Sequence, residues 1–157
     1  NYISKMLLEN GHPVMLAGIA GTGKSVLIRH LLQSFNETEF MYRAINFNYY
    51  TTSTALQQFL ESAIEMKSGK LYAPPAQKKC IYFIDDMNMP AIDQFGTQSP
   101  MTLLRQHLDY EHWYDRQQMT IKGCKLCCVY ESHRWFIHNK SKIATTFLYI
   151  FTRNSIG

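Results

Sequence analysis

PVMLAGIAGTGKSVLIRHLLQSF, Pro13 to Phe35, passes from a short apolar run through a glycine-rich turn into a stretch of helical period. The opening PVMLAG, Pro13 to Gly18, ends in glycine and predicts a buried parallel strand. From Lys24 to Phe35 the residues Val26, Leu27, Ile28, Leu31, Leu32 and Phe35 make one broad apolar face, which predicts a helix that Asn36 ends. A strand that turns through glycines into a helix is the start of an α/β unit, and the rest of the chain continues in that manner.

MYRAINFNYY, Met41 to Tyr50, is rich in aromatic and branched residues and predicts a second strand. Ser53 or Thr54 caps a second helix through about Met66, with Leu56, Phe59, Leu60 and Ala63 inward. KSGKLYAPPAQKK is bracketed by lysines and broken by Gly and Pro, so it reads as an exposed loop. IYFID is a third strand, expected beside the first. The helix SPMTLLRQHLDY and a hairpin from EHWYDRQQMTIKG complete the pattern. The fold class is therefore α/β, a three-layer parallel sheet with flanking helices.

GIAGTGKS, Gly18 to Ser25, matches G-x-x-x-x-G-K-[S/T] between a strand and a helix, the context that the pattern requires. Gly18, Gly21 and Gly23 allow a tight turn whose N–H groups reach phosphate oxygens, and Ile19, Ala20 and Thr22 complete the loop. The helix N-terminus adds positive dipole. Lys24 supplies a charge for the β- and γ-phosphates, and the Ser25 hydroxyl is short enough to coordinate Mg²⁺. The bland alternative is a glycine-rich turn with a solvated lysine.

IYFIDDMNMP, Ile81 to Pro90, runs apolar residues into two aspartates. Mg²⁺ held by one hydroxyl, phosphates and waters still needs a carboxylate nearby, and Asp85 at the strand end fits. Asp86 follows where a water-activating base would stand, the alternative being an Asx turn. Aspartate is one methylene shorter than glutamate, so its carboxylate falls about 1 Å short, enough to cost orders of magnitude in rate.

A chain of 157 residues with 46% apolar content can build one compact core. It carries no apolar run of membrane-spanning length, and its first residues lack the pattern of a secretory signal, so the expectation is a soluble intracellular chain. The formal charge of +4 does not indicate a nucleic-acid partner: residues 1–124 hold 11 basic and 11 acidic side chains, and the excess lies beyond them. Three of the four cysteines, Cys124, Cys127 and Cys128, crowd together, but a lone C-x-x-C offers two of the roughly four ligands zinc needs.

GIAGTGKS, NFNYYTTS, KLYAPP, IYFIDDMNMP and FGTQSPMTLLRQHLDYEHWYDR together resemble dynein heavy chains, specifically the third AAA+ module of axonemal forms. The resemblance covers about Pro13 to Lys122 and is specific, because IDDMNMP and RQH-x-D-x-x-x-WYDR are not general AAA+ features. It implies a large AAA+ subdomain within a six-module motor ring, with ATP or ADP held by Gly18, Ile19, Ala20, Gly21, Thr22, Gly23, Lys24 and Ser25. It also implies Mg²⁺ at Ser25 and Asp85, the latter reaching the ion through water, and Asp86 as the hydrolytic position. Implied partners are the other modules, microtubules, and dynein intermediate and light chains, in the cytoplasm and the axoneme of a cilium or flagellum; no nucleic acid or membrane is implied. Arg105 and His107 match family positions without an assigned chemistry, and surface or inter-module packing is the expectation for them. Trp113 and Tyr114 are expected to pack.

Residues 1–122 are thus expected to be the nucleotide-binding core and residues 123–157 a tail outside the family. The family's next strand ends in a sensor asparagine and leads into a region like MNPTAGSFTINPRLQRH, where this chain reads YESHRWFIHNKSKIATTF. One choice of codons for Tyr130 to Phe147 reads MNPTAGSFTINPRLQRH when its first nucleotide is dropped, so the tail from about Cys124 is expected to be translated out of frame. The competing reading is a genuine divergent tail with TTFLYIF as a strand. Without the family's fourth strand the sheet is expected to expose an apolar edge and fold weakly. The functional expectation is a regulatory nucleotide-binding module with weak or no hydrolysis; a competent ATPase and a non-functional truncated product are the alternatives. A small-molecule kinase would need an acceptor site and an arginine-rich lid, and neither is legible.

Overall fold

The computed structural model describes residues 2–19, 21–124 and 127–132, the last six by their backbone. The element order is α1 (Tyr2–Glu9), β1 (Val14–Ala17), α2 (Lys24–Gln33), β2 (Phe40–Asn46), α3 (Ser53–Glu61), β3 (Glu65–Ser68), β4 (Leu71–Ala73), β5 (Lys79–Asp85), α4 (Ser99–Tyr110), β6 (His112–Tyr114), β7 (Ile121–Cys124) and β8 (Cys127–Ser132). Among the described residues the main sheet has the order β1-β8-β5-β2, with every pair parallel.

The central strand explains the layers. Side chains alternate along β5: Ile81 and Phe83 join Leu8, Val14, Ile28, Leu31, Leu32 and Phe35 on one face. Cys80, Tyr82 and Ile84 join Leu56, Leu60, Met101 and Leu104 on the other. Both faces are covered, which is why the strand is apolar throughout rather than alternating. Each fully buried Leu, Ile or Phe stabilises the fold by about 2 kcal/mol. The one hydroxyl in this run is satisfied, because Tyr82 Oη donates to the Leu60 carbonyl at 2.7 Å.

Two sheet expectations are corrected. The aspartate strand is not the neighbour of the phosphate-loop strand, because β8 lies between β1 and β5. Nor is the fourth strand missing: Cys127–Ser132 fills that place, with Val14–Ala17 paired to Val129–Ser132 and Ile81–Ile84 to residues 127–130. The physical reason is that strand pairing uses main-chain N–H and C=O groups. A gap between two parallel strands offers two rows of such groups to any extended segment that arrives there.

Other differences are local. On α2, Ile28, Leu31 and Leu32 are buried as expected, and so is Phe35 beyond the helix end at Gln33, but Val26 is 72% exposed and Leu27 40%, so the packed stripe is narrower than the sequence face. β2 stops at Asn46, and Asn48–Tyr50 turns instead, with Asn48 Oδ1 accepting from the Tyr50 N–H at 2.9 Å. Thr52 rather than Ser53 or Thr54 caps α3, its hydroxyl accepting from the Ala55 N–H at 3.2 Å. That helix ends at Glu61, and Met66 lies exposed in β3.

The β3–β4 hairpin, which starts at Glu65 and turns at Gly69 with φ of 58°, takes up the first half of the stretch expected as a loop. It belongs to a second sheet, β3-β4-β7-β6, whose β6–β7 pair is the hairpin expected from EHWYDRQQMTIKG. α4 spans Ser99–Tyr110, the stretch predicted. Trp113 is fully buried and tilted against His107 with ring centroids 5.3 Å apart, while Tyr114 remains 48% exposed. Arg105 lies at the surface beside Asp109, at 3.5 Å.

Candidate functional site

The glycine-rich loop leaves the C-terminal end of β1, and Asp85 is the last residue of β5. The strands are parallel with one strand between them, so both features open at the same end of the sheet, about 10 Å apart across two strand spacings. Crevices outside the carboxyl ends of parallel strands are where α/β sheets take ligands.

Gly21 and Gly23 have φ of 81° and 77°, a region that a side chain disfavours. α2 then starts at Lys24 with Gly23 as its N-cap and no side-chain cap hydrogen bond, and a helix N-terminus of this kind favours negative charge. Thr22 Oγ1 donates to the Ile19 carbonyl at 2.9 Å, and Lys24 Nζ donates to the same carbonyl at 2.9 Å. Gly18 lies close under this arrangement: a Cβ there would be 3.6 Å from Lys24 Cδ. Ser25 follows in the first helical turn, half-buried. Ala20 lies outside the described residues, as do the side chains of Cys127 and Cys128.

Asp85 is buried at 7% exposure and its Oδ1 accepts from the Asp86 N–H at 3.0 Å. Asp86 has φ of 55°, a left-handed conformation that Asp tolerates better than most residues, and its carbonyl accepts from the Met89 N–H at 2.9 Å. The aspartates thus open a tight turn. Gln98, buried at the start of α4, clamps that turn by donating Nε2 to the Pro90 carbonyl at 2.6 Å and to the Asn88 carbonyl at 3.3 Å. Neither Gln98 nor the Thr22 hydroxyl was legible from the pattern: one acts across a loop, and the other stands at a variable position of the motif.

Away from this end, Glu61 gathers the second sheet. Its Oε1 accepts from Trp113 Nε1 and from Gln57 Nε2, both at 2.8 Å, and its Oε2 from Lys122 Nζ at 3.0 Å. Burial pushes the Cys80 thiol up to about 11, and burial followed by the nearby Glu61 and Glu111 charges pushes Cys124 up to about 12. Cys124 Sγ lies 3.9 Å from His107 Nδ1. Among the described residues no group of three or more His, Cys, Asp or Glu is placed to hold a metal, and no helix is long and apolar enough to cross a membrane.

A model of the family described as the P-loop containing dynein motor region matches residues 1–151. The chain is 52% identical over 126 residues, 80% of its length, to dynein axonemal heavy chain 17 of Homo sapiens and to the ciliary dynein beta chain of Tripneustes gratilla. It is 40% identical over 126 residues, again 80% of its length, to the dynein beta chain of the flagellar outer arm of Chlamydomonas reinhardtii. It spans about 3% of the length of each of these relatives. A loop of this geometry, a strand-end aspartate at the same sheet end and identity of this extent agree: the chain belongs to the P-loop containing dynein motor region family.

Proposed function

We infer that this chain is an ATP- or ADP-binding AAA+ module, the third of an axonemal-type motor ring, that regulates the ring and hydrolyses weakly or not at all. The observation that supports it is the opening of the glycine loop and of Asp85 at one end of the sheet, with an uncapped helix start between Gly23 and Ser25. Gly18, Ile19, Ala20, Gly21, Thr22 and Gly23 would wrap the phosphates, and Lys24 would neutralise them. The Ser25 hydroxyl and the Asp85 carboxylate are oxygen donors suited to Mg²⁺, which relies on phosphates and waters rather than an all-protein cage. The ion would screen phosphate charge. Partners are the ring's other modules and, through the whole motor, microtubules and intermediate and light chains. The names of the relatives support a ciliary or flagellar axoneme.

Asp86 favours a second reading, a competent ATPase, because it stands directly after Asp85 as a water-activating carboxylate. Single-turnover ATP hydrolysis by the full heavy chain carrying this module, with and without Asp86→Asn, separates the two. Retained nucleotide and an unchanged turnover rate support the regulator. A loss of turnover confined to Asp86→Asn supports the enzyme.

The reading of residues 123–157 as out of frame belongs to the same proposal, and it is supported by the shifted MNPTAGSFTINPRLQRH match. β8 lies within that segment, so the segment supplies strand backbone even where its residues differ from the family's. Transcript sequencing across Gln118 to Gly157 tests it: an in-frame continuation in the mature transcript supports an error of frame in this tail, and a shifted frame in abundant transcript makes the tail a real product.

A further inference from the structure

The glycine loop satisfies itself through a small triangle of hydrogen bonds. Thr22 Oγ1 donates to the Ile19 carbonyl at 2.9 Å, Lys24 Nζ donates to that carbonyl at 2.9 Å, and Lys24 Nζ donates again to Thr22 Oγ1 at 3.3 Å. The lysine stem lies back across the loop's first residue, since a Cβ at Gly18 would stand 3.6 Å from Lys24 Cδ, 3.7 Å from Thr22 Oγ1 and 4.0 Å from Lys24 Nζ. An ammonium beside the positive end of a helix gains from acceptors, and a loop carbonyl is one of them here. The Thr22 hydroxyl contacts both partners of that bond. It is the single hydroxyl between Gly18 and Lys24, and it stands between the two glycines whose positive φ shapes the turn.

We propose that the Thr22 hydroxyl is a latch: it holds the Ile19 carbonyl and the Lys24 ammonium together, so that a nucleotide phosphate must draw the lysine off this pair as it binds. Thr22 is then a positioning residue for Lys24 that holds its ammonium against the loop and lowers apparent nucleotide affinity. With two of its three N–H groups on the Ile19 carbonyl and Thr22 Oγ1, the ammonium has at most one left for a phosphate oxygen, so turning a second to phosphate costs one of these bonds, and the hydroxyl that fixes the carbonyl raises that cost. Its effect on affinity rests on the nucleotide-binding reading above, whereas its effect on Lys24 does not.

Two readouts on the full chain keep those apart. The variants are Thr22→Val, which keeps the shape and removes the hydroxyl, and Thr22→Ser, which keeps the hydroxyl. Acetylation of the Lys24 amine by acetic anhydride, without nucleotide and quantified by peptide mass spectrometry, is expected to speed up about fivefold in Thr22→Val, the effect of one ordinary hydrogen bond. Thr22→Ser is expected to stay within about twofold of the parent. Equilibrium dialysis against Mg-ADP is expected to show about fivefold tighter binding by Thr22→Val. Faster acetylation with no ADP binding by any form, the parent included, supports the latch and overturns the nucleotide reading. Unchanged acetylation in Thr22→Val overturns the latch, and so does weaker ADP binding by that variant, which would place the hydroxyl on the bound nucleotide.

Discussion

Trp113 Nε1 donates to Glu61 Oε1 at 2.8 Å, and this bond ties the second sheet to α3. The indole is fully buried, so its N–H has no recourse to water when Glu61 is lost. Glu61 also accepts from Gln57 and Lys122. Glu61→Ala should therefore destabilise the chain by about 2–4 kcal/mol, while Glu61→Gln, which keeps one acceptor oxygen, should cost about half as much. Urea unfolding followed by circular dichroism checks this through the midpoint; a shift equivalent to less than about 0.5 kcal/mol for the alanine variant would contradict it.

Asp115 supplies a pH dependence. The hydrogen bond from Lys122, then the backbone N–H groups of Gln118 and Gln117, hold its carboxyl down at about 2 from an ordinary 3.8. The native state binds fewer protons than the unfolded chain between those values. This stabilisation is therefore complete above about pH 4 and is lost as pH falls toward 2. Asp115→Asn should be less stable than the parent at pH 7, with the gap closing between about pH 4 and pH 2. Unfolding curves at several pH values check it, and a gap independent of pH would count against the assignment.

The buried thiols make a chemical prediction. Cys80 and Cys124, pushed up to about 11 and about 12, hold almost no thiolate at pH 8 and should resist iodoacetamide in the native chain. Both should alkylate at least about 100-fold faster in urea. Peptide-resolved mass spectrometry distinguishes them from Cys127 and Cys128. Rapid native labelling of Cys80 would show that β5 is not covered on both faces.

The parts of the fold that were legible are those where one local pattern decides. PVMLAG, the glycine loop and SPMTLLRQHLDY each carry their own period and punctuation, and they form β1, the turn and α4. The β3–β4 hairpin was missed because Lys67, Gly69 and Lys70 read as a solvated loop, and its exposed edge strand has no apolar alternation to give it away. Strand order was missed for a different reason: nothing in IYFID or PVMLAG says whether the two touch, and β8 arrives from much later in the chain. The site was legible as residue types at fixed spacing, from Gly18 to Ser25 and at Asp85 and Asp86. The hydroxyl of Thr22 and the clamp of Gln98 depend on contacts that the chain makes only when folded.

The central claim is that the glycine loop and Asp85 bind a nucleotide. Equilibrium dialysis of the full chain with radiolabelled Mg-ADP and Mg-ATP, run beside Lys24→Ala, tests it most directly. Saturable binding by the parent is expected, with a loss of about 10- to 100-fold in a folded Lys24→Ala, the strength of one or two charged hydrogen bonds. Equal affinity of parent and Lys24→Ala, or no binding by a folded parent, would contradict it.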